Sequence, residues 1–158
     1  MRIDWLSAHP RHAAALAEAH VQVFGALLPG WTAEQALAEL RAHDRPATVP
    51  STLVALDGDG EWLGSVSLLA EDHPDIPQYS PWLASLYVRP EARGNGTGRA
   101  LVARAVAEAA ALGIGTLYLY CTPAVAGWYL GLGWRQHEVL HLGPLVVHVL
   151  AIDCREHA

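Results

Sequence analysis

Lysine is missing from this chain altogether: all ten basic residues among the 158 are arginine. A phosphate loop of the Walker A type needs a lysine directly after its glycines, so that class of nucleotide hydrolase is excluded. No basic run appears either, and a formal net charge of −6 offers no electrostatic track for nucleic acid. Cysteine is scarce. Cys121 and Cys154 have neither disulfide nor metal spacing, which makes a reducing compartment the default. No apolar run approaches the ~20 residues of a membrane-spanning helix. No apolar core of a signal peptide follows Met1-Arg2. The expectation is a soluble cytoplasmic protein with no membrane or nucleic-acid partner and no metal. There is no internal repeat, low-complexity tract or linker, so residues 1–158 read as one domain with room for a substantial core.

Periodicity supplies the elements. Ile3 to Ser7 reads as a strand, and Pro10 suits the first turn of a helix because its missing N–H costs nothing there. Leu16, His20, Val23, Phe24 and Leu27 follow helical spacing, leaving Arg11, His12, Glu18 and Gln22 for water. After Pro29-Gly30, Thr32 and Gln35 form a capping box for a second helix with Ala33, Ala36, Leu37 and Leu40 on its apolar face. Thr52 to Leu56 and Trp62 to Leu69 flank Asp57-Gly58-Asp59-Gly60, a hairpin signal. Trp82 to Val88 reads as a central strand, Arg93 to Leu112 as a loop and helix stopped by Gly113, and Thr116 to Cys121 as another strand. A short helix, Pro123 to Leu130, precedes a strand pair, Trp134 to Leu142 and Leu145 to Ile152. The strand–helix–strand unit implies a parallel pair and the hairpins antiparallel ones. The fold class is therefore α/β (α+β): a mixed, mostly antiparallel sheet of about six to seven strands flanked by about four helices.

The stretch with most chemical content is Arg93-Gly94-Asn95-Gly96-Thr97-Gly98-Arg99, between the central strand and an alanine-rich helix. Glycines let backbone approach a ligand closely, and the first-turn N–H groups of a helix lack intrahelical partners. With the positive end of the helix dipole they make a cradle for phosphate or pyrophosphate. A dinucleotide fingerprint would need Gly-x-Gly-x-x-Gly and an acid ending the next strand; here the glycines alternate and that strand ends in Cys121.

Arg93-x-x-Gly96-x-Gly98 resembles the Arg/Gln-x-x-Gly-x-Gly/Ala signature of the GNAT acyltransferase superfamily. So does its context: Leu86-Tyr87-Val88-Arg89-Pro90 before it, and Leu117-Tyr118-Leu119-Tyr120 then Trp128-Tyr129-Leu130-Gly131-Leu132-Gly133-Trp134 after it. The resemblance implies acetyl-coenzyme A (acetyl-CoA) as co-substrate and a small-molecule amine as acceptor. It implies a bulged central strand whose backbone at Leu86, Tyr87 and Val88 lies along the pantetheine arm, with one N–H polarising the thioester. Backbone N–H groups from Arg93 through Arg99 would hold the pyrophosphate, and Tyr129 would protonate the leaving thiolate. Where many relatives carry an asparagine on the pantetheine arm, this chain has Thr122, which offers a hydroxyl. Some relatives carry a glutamate base on the central strand; Trp82 to Val88 has no acid, so the base lies elsewhere or acts through water.

For the acceptor, the loop before the central strand carries Glu71, Asp72, His73 and Asp75, whose carboxylates would attract a protonated amine. Of Trp31, Tyr79, Trp82 and Trp128, Trp82 beside the cradle strand is the expected aromatic wall. His141 and His148 are expected near each other across the last hairpin, without a completed metal site. Neither cysteine sits in an activated setting, which favours direct transfer in a ternary complex. An acyl-CoA sensor on the same fold is the alternative. The oligomeric state, homodimer included, is not legible.

Overall fold

Side-chain alternation along the strands sets the layering of this chain. In the computed structural model, which describes residues 1–157, β1 (Arg2–Trp5), β2 (Ser51–Leu56), β3 (Trp62–Leu69) and β4 (Trp82–Val88) pair antiparallel in sequence order. β5 (Thr116–Cys121) joins β4 in parallel, and the hairpin of β6 (Arg135–Leu142) and β7 (Leu145–Asp153) completes the order β1-β2-β3-β4-β5-β7-β6. The expected mixed, mostly antiparallel sheet is present, with seven strands.

Helices cover both faces. Leu53, Ala55, Val66 and Leu68 point toward α3 (Thr97–Ala111) and α4 (Pro123–Leu130). Val54, Leu56 and Trp62 point toward α1 (Ala13–Phe24) and α2 (Ala33–Ala42). α3 is alanine-rich because it packs closely on the sheet: Leu101, Val102, Ala105, Val106 and Ala109 form one buried stripe. Each large member, such as the fully buried Leu101, contributes roughly 1.5–3 kcal/mol of burial. The Thr32–Gln35 capping box forms in full. A four-residue α5 (Cys154–His157) brings the helices among the described residues to five, against the about four expected.

Other departures have local causes. β1 stops at Trp5, because the Asp4 carboxylate accepts the Trp5 N–H at 2.8 Å and pairs with His9, turning Leu6–Ala8 into a 3₁₀ segment. His12 is buried instead of solvated, its ring 2.9 Å from the Gly60 carbonyl. α3 begins at Thr97, four residues after Arg93, because Gly94 and Gly96 take left-handed φ values of 82° and 81°. On the last hairpin, His141 lies opposite Val146 and His148 opposite Val139, so the two histidines are offset; His148 instead bonds Gln136 at 3.0 Å.

The feature that matters for function is a gap. β4 and β5 are in register only at Trp82↔Tyr118, and beyond that point they separate. β4 also bulges: its register on β3 slips between Ser65 and Ser67, where Ser85 holds φ 56°. A non-glycine residue in this region is strained, and such strain persists where the surroundings over-determine it. The bulge turns β4 away from β5, and a cleft opens between the strands.

Candidate active site

The cleft has a volume of about 1410 Å³. Leu83 to Leu86 of β4 form one flank and Leu119 to Thr122 at the end of β5 the other. Because no β5 residue pairs with β4 past Tyr118, the backbone on these flanks has no strand partner across the gap.

Trp128 links the cleft to the glycine loop, which lies outside its lining. Among the described residues, the N–H groups of Gly94 to Arg99 find no acceptor, and the first helical bond runs from Ala100 N–H to the Gly96 carbonyl at 3.0 Å. No atom beyond their chain neighbours lies within 4 Å of where a Cβ would stand at Gly94 or Gly96. Asn95 and Arg99 are exposed, while Thr97 is buried under the turn. This is a set of outward-facing donors at a helix start, with space before them: a fit for a diphosphate. Arg93 itself belongs to the scaffold. Its N–H meets the Pro90 carbonyl at 3.3 Å, and its Nε donates to the Val88 carbonyl at 2.9 Å, so the free donors begin at Gly94.

The expected pantetheine residues divide. Leu86 faces the cleft, while Val88 packs toward Gly98. The Tyr87 ring lies on the opposite face of β4, against Trp62 at 6.0 Å between centroids. Thr122 lines the cleft with its hydroxyl free of any capping bond. Trp128, 45% exposed, lines the cleft and also reaches the cradle, 3.5 Å from where a Gly98 Cβ would be.

Tyr129 is held by α4 between Trp128 and Trp134 and faces the cleft beside Cys121. Burial, then the neighbouring Cys121, push its pKa upward, so the phenol keeps its proton. Burial raises the Cys121 thiol to about 11, which leaves it protonated and a poor nucleophile.

The other end of the cleft is acidic and aromatic. Asp72 lines it half-buried, with its carboxyl raised to about 7 by burial and then by the charge of Glu39. Tyr120 lies beneath, its pKa raised by burial and then by Asp72. Glu39 on α2 accepts the Trp31 indole N–H at 3.1 Å, and both line the cleft. Glu71 is exposed on its lining. His43 sits nearby, its pKa lowered by burial; its Nδ1 is 2.9 Å from Thr52 Oγ1, which lies 2.8 Å from Ser67 Oγ.

Two expected acceptor residues lie elsewhere. Trp82 is fully buried, because it stands where the sheet is intact and packs on Tyr79, Tyr118 and Tyr120. Asp75 has a side chain 70% exposed outside the cleft, its N–H bonded to His73 Nδ1 at 3.0 Å. Conversely, Gln35 is read from the sequence only as part of the capping box, and Glu39 and His43 are given no role there, although the three follow i, i+4, i+8 spacing and all line the cleft. That polar stripe flanking the apolar Ala36–Leu40 face is the signal that points to them. Val23, assigned by spacing to the core, is 49% exposed and also lines the cleft.

A bulged, splayed sheet beside a glycine cradle is the arrangement that the resemblance to acyltransferases implied. The model of the acetyltransferase (GNAT) family matches residues 14–134, and the chain belongs to that family. Among solved structures, it is similar to an aminoglycoside 6'-N-acetyltransferase complexed with coenzyme A, at 18% identity and TM-score 0.75, covering 98% of this chain and 97% of the other. It is similar to mutant forms of the spermidine/spermine N-acetyltransferase of Vibrio cholerae, at 16% identity and TM-score 0.68, covering 99% and 96%. A GNAT-family acetyltransferase of Staphylococcus aureus Mu50 matches at 13% identity and TM-score 0.71, covering 97% and 99%. Among curated proteins, none matches this chain in sequence. No helix among the described residues is long and apolar enough to cross a membrane.

Proposed function

We propose that this chain transfers an acetyl group from acetyl-CoA to a primary amine of a small cationic acceptor, by direct attack in a ternary complex. The observation that carries the reading is one cleft with a protonated tyrosine on one wall and a pair of carboxylates at the other end. The unpaired backbone of β4 runs between them.

The residues present fit the co-substrate. The free N–H groups of Gly94 to Arg99 match the acceptor oxygens of its diphosphate. Thr122 and the open edges of β4 and β5 offer hydrogen bonds to the amide groups of its arm. Bound there, acetyl-CoA supplies an activated acyl carbon. An N–H of the bulged segment around Leu86 would stabilise negative charge developing on the acyl oxygen, without reorganising at the moment of reaction. Tyr129 would hand its proton to the departing sulfur. The protonated Cys121 favours direct transfer over a covalent enzyme intermediate. Holding both reactants in one cleft makes their encounter effectively unimolecular.

Glu39, Asp72 and Glu71 favour a cationic acceptor. Two similar structures belong to proteins named for polyamine and aminoglycoside acceptors, which supports that class. The test is thiol release from acetyl-CoA across a panel of aminoglycosides, polyamines, simple monoamines and neutral alcohols. Turnover with polycationic amines is expected. Tight coenzyme binding without turnover on any member would favour the sensor reading instead.

A further inference from the structure

We propose that Asp72 is the catalytic base of this site, taking the proton from the acceptor's ammonium while Glu39 holds the ammonium's charge. The assignment rests on the acyl-transfer reading above. β4, where some relatives carry a glutamate base, has no acid along Trp82–Val88, so any side-chain base comes to the cleft from another element.

The loop between β3 and β4 delivers one. It is fastened on both sides of Asp72. Ser80 Oγ donates to the Ala70 carbonyl at 2.6 Å, closing the base of the loop. His73, buried, stands 3.0 Å from the Leu27 carbonyl through Nε2, and its Nδ1 accepts the Asp75 N–H at 3.0 Å. Those two bonds require the neutral tautomer with hydrogen on Nε2. The His73 ring stands edge-on to Tyr120 at 6.0 Å, so the loop is locked onto the cleft floor. Asp72 is therefore held in place, and its neighbour Asp75 is turned to solvent.

Of the titratable groups facing Asp72, Glu39 of α2 is the one whose charge bears on its proton, and Tyr120 of β5 feels Asp72 in turn. His43 after α2, and Glu71 and His73 of its own loop, line the same cleft. Burial and the like charge of Glu39 both disfavour the carboxylate and bring its pKa to about 7, where a base balances availability against proton affinity. One Glu39 oxygen is committed to Trp31, leaving the other for the ammonium. In the step proposed, an N–H bond of the ammonium breaks as an O–H bond forms on Asp72. The nitrogen keeps the electron pair with which it attacks, and Asp72 later returns the proton to water.

Two measurements decide the assignment. The first needs no turnover: carbon-13 carboxyl NMR of the coenzyme-free protein, with Asp72→Asn identifying the resonance. A midpoint near 7 that falls in Glu39→Gln is expected; a midpoint at the ordinary carboxylate position, ~4, overturns the proposal. The second is the pH dependence of kcat/KM with spermidine and with the aminoglycoside kanamycin. Wild type should lose activity below about pH 7, and Asp72→Asn should lower kcat by ~10²-fold or more and abolish that acidic limb. Asp75→Asn should change neither. If Asp72→Asn keeps wild-type turnover, or if His43→Gln removes the limb and Asp72→Asn does not, Asp72 is not the base. Failure of wild type to turn over any amine would instead count against the acyl-transfer reading, leaving the NMR result to judge the carboxyl by itself.

Discussion

Asp72→Asn should stabilise the folded protein while it damages catalysis, and the stability change should depend on pH. The carboxyl rises from its ordinary 3.8 to about 7 in the fold, because burial and Glu39 disfavour its charge. For an acid whose folded pKa is raised, the fold binds more protons than the unfolded chain. Stability therefore falls as pH rises from about 4, and the loss is complete above about 7. At ~1.4 kcal/mol per pH unit the upper bound is ~4 kcal/mol. Asp72 is only half-buried, so water screens part of this, and ~1–2 kcal/mol is the expected gain for the neutral amide at pH 8. At ~2–4 °C per kcal/mol for a domain of this length, Tm should rise by about 2–8 °C. Thermal melts of wild type, Asp72→Asn and Asp75→Asn at pH 8 and pH 4 read this directly. The Asp72 gap should nearly close at pH 4, and Asp75→Asn, whose side chain is 70% exposed, should show none at either pH. A lower Tm for Asp72→Asn at pH 8, or a gap of equal size at both pH values, would refute the reasoning.

Three further outcomes follow from the same geometry. Gly96→Val places a β-branched side chain at φ 81°, in space otherwise free for the ligand, so calorimetry on the folded variant should find coenzyme binding lost; wild-type affinity would remove the cradle from the site. Tyr129→Phe keeps the ring between Trp128 and Trp134 but removes the proton, so turnover should fall ~10²-fold with coenzyme affinity unchanged, and an unchanged chemical step would return Tyr129 to a packing role. At Gly64, a Cβ would stand 2.5 Å from the Tyr87 carbonyl oxygen and 3.1 Å from the Val88 Cα. Gly64→Ala should therefore push β4 off β3, cost ~1–3 kcal/mol, and weaken coenzyme binding; full stability and affinity would show that β4 tolerates displacement.

The glycine loop and its free N–H groups were legible because local chemistry dictates them. Alternating glycines before an alanine-rich helix make a cradle wherever they occur, and the φ values of Gly94 and Gly96 follow from that requirement. Element order and the Tyr129 helix were equally readable from periodicity and breakers. The acidic part of the cleft depends on how distant pieces meet, and there residue type alone misleads. Trp82 is aromatic and adjacent to the cradle strand, yet it stands at the one register pair where β4 and β5 still touch, and is buried for that reason. Asp72 and Asp75 look equivalent in an irregular loop without a period; the buried His73 between them sends one inward and the other out. Glu39 reaches the cleft only because α2 lies over the splayed sheet, a contact no local pattern encodes, although the Gln35–Glu39–His43 stripe marks the face. The β4 bulge at Ser85 falls within a strand lacking glycine or proline, and it entered the expectation through family resemblance alone.

The most direct measurement of the central claim is a single-turnover experiment with enzyme in excess over acetyl-CoA, using the best amine of the panel and following the free thiol and the acetylated amine separately. The account predicts that one thiol and one acetyl-amide form together at the same rate, with no acetylated protein detectable by intact mass at any time. Thiol release without amide, or an acetylated enzyme that forms before the amide, would contradict direct transfer in this cleft.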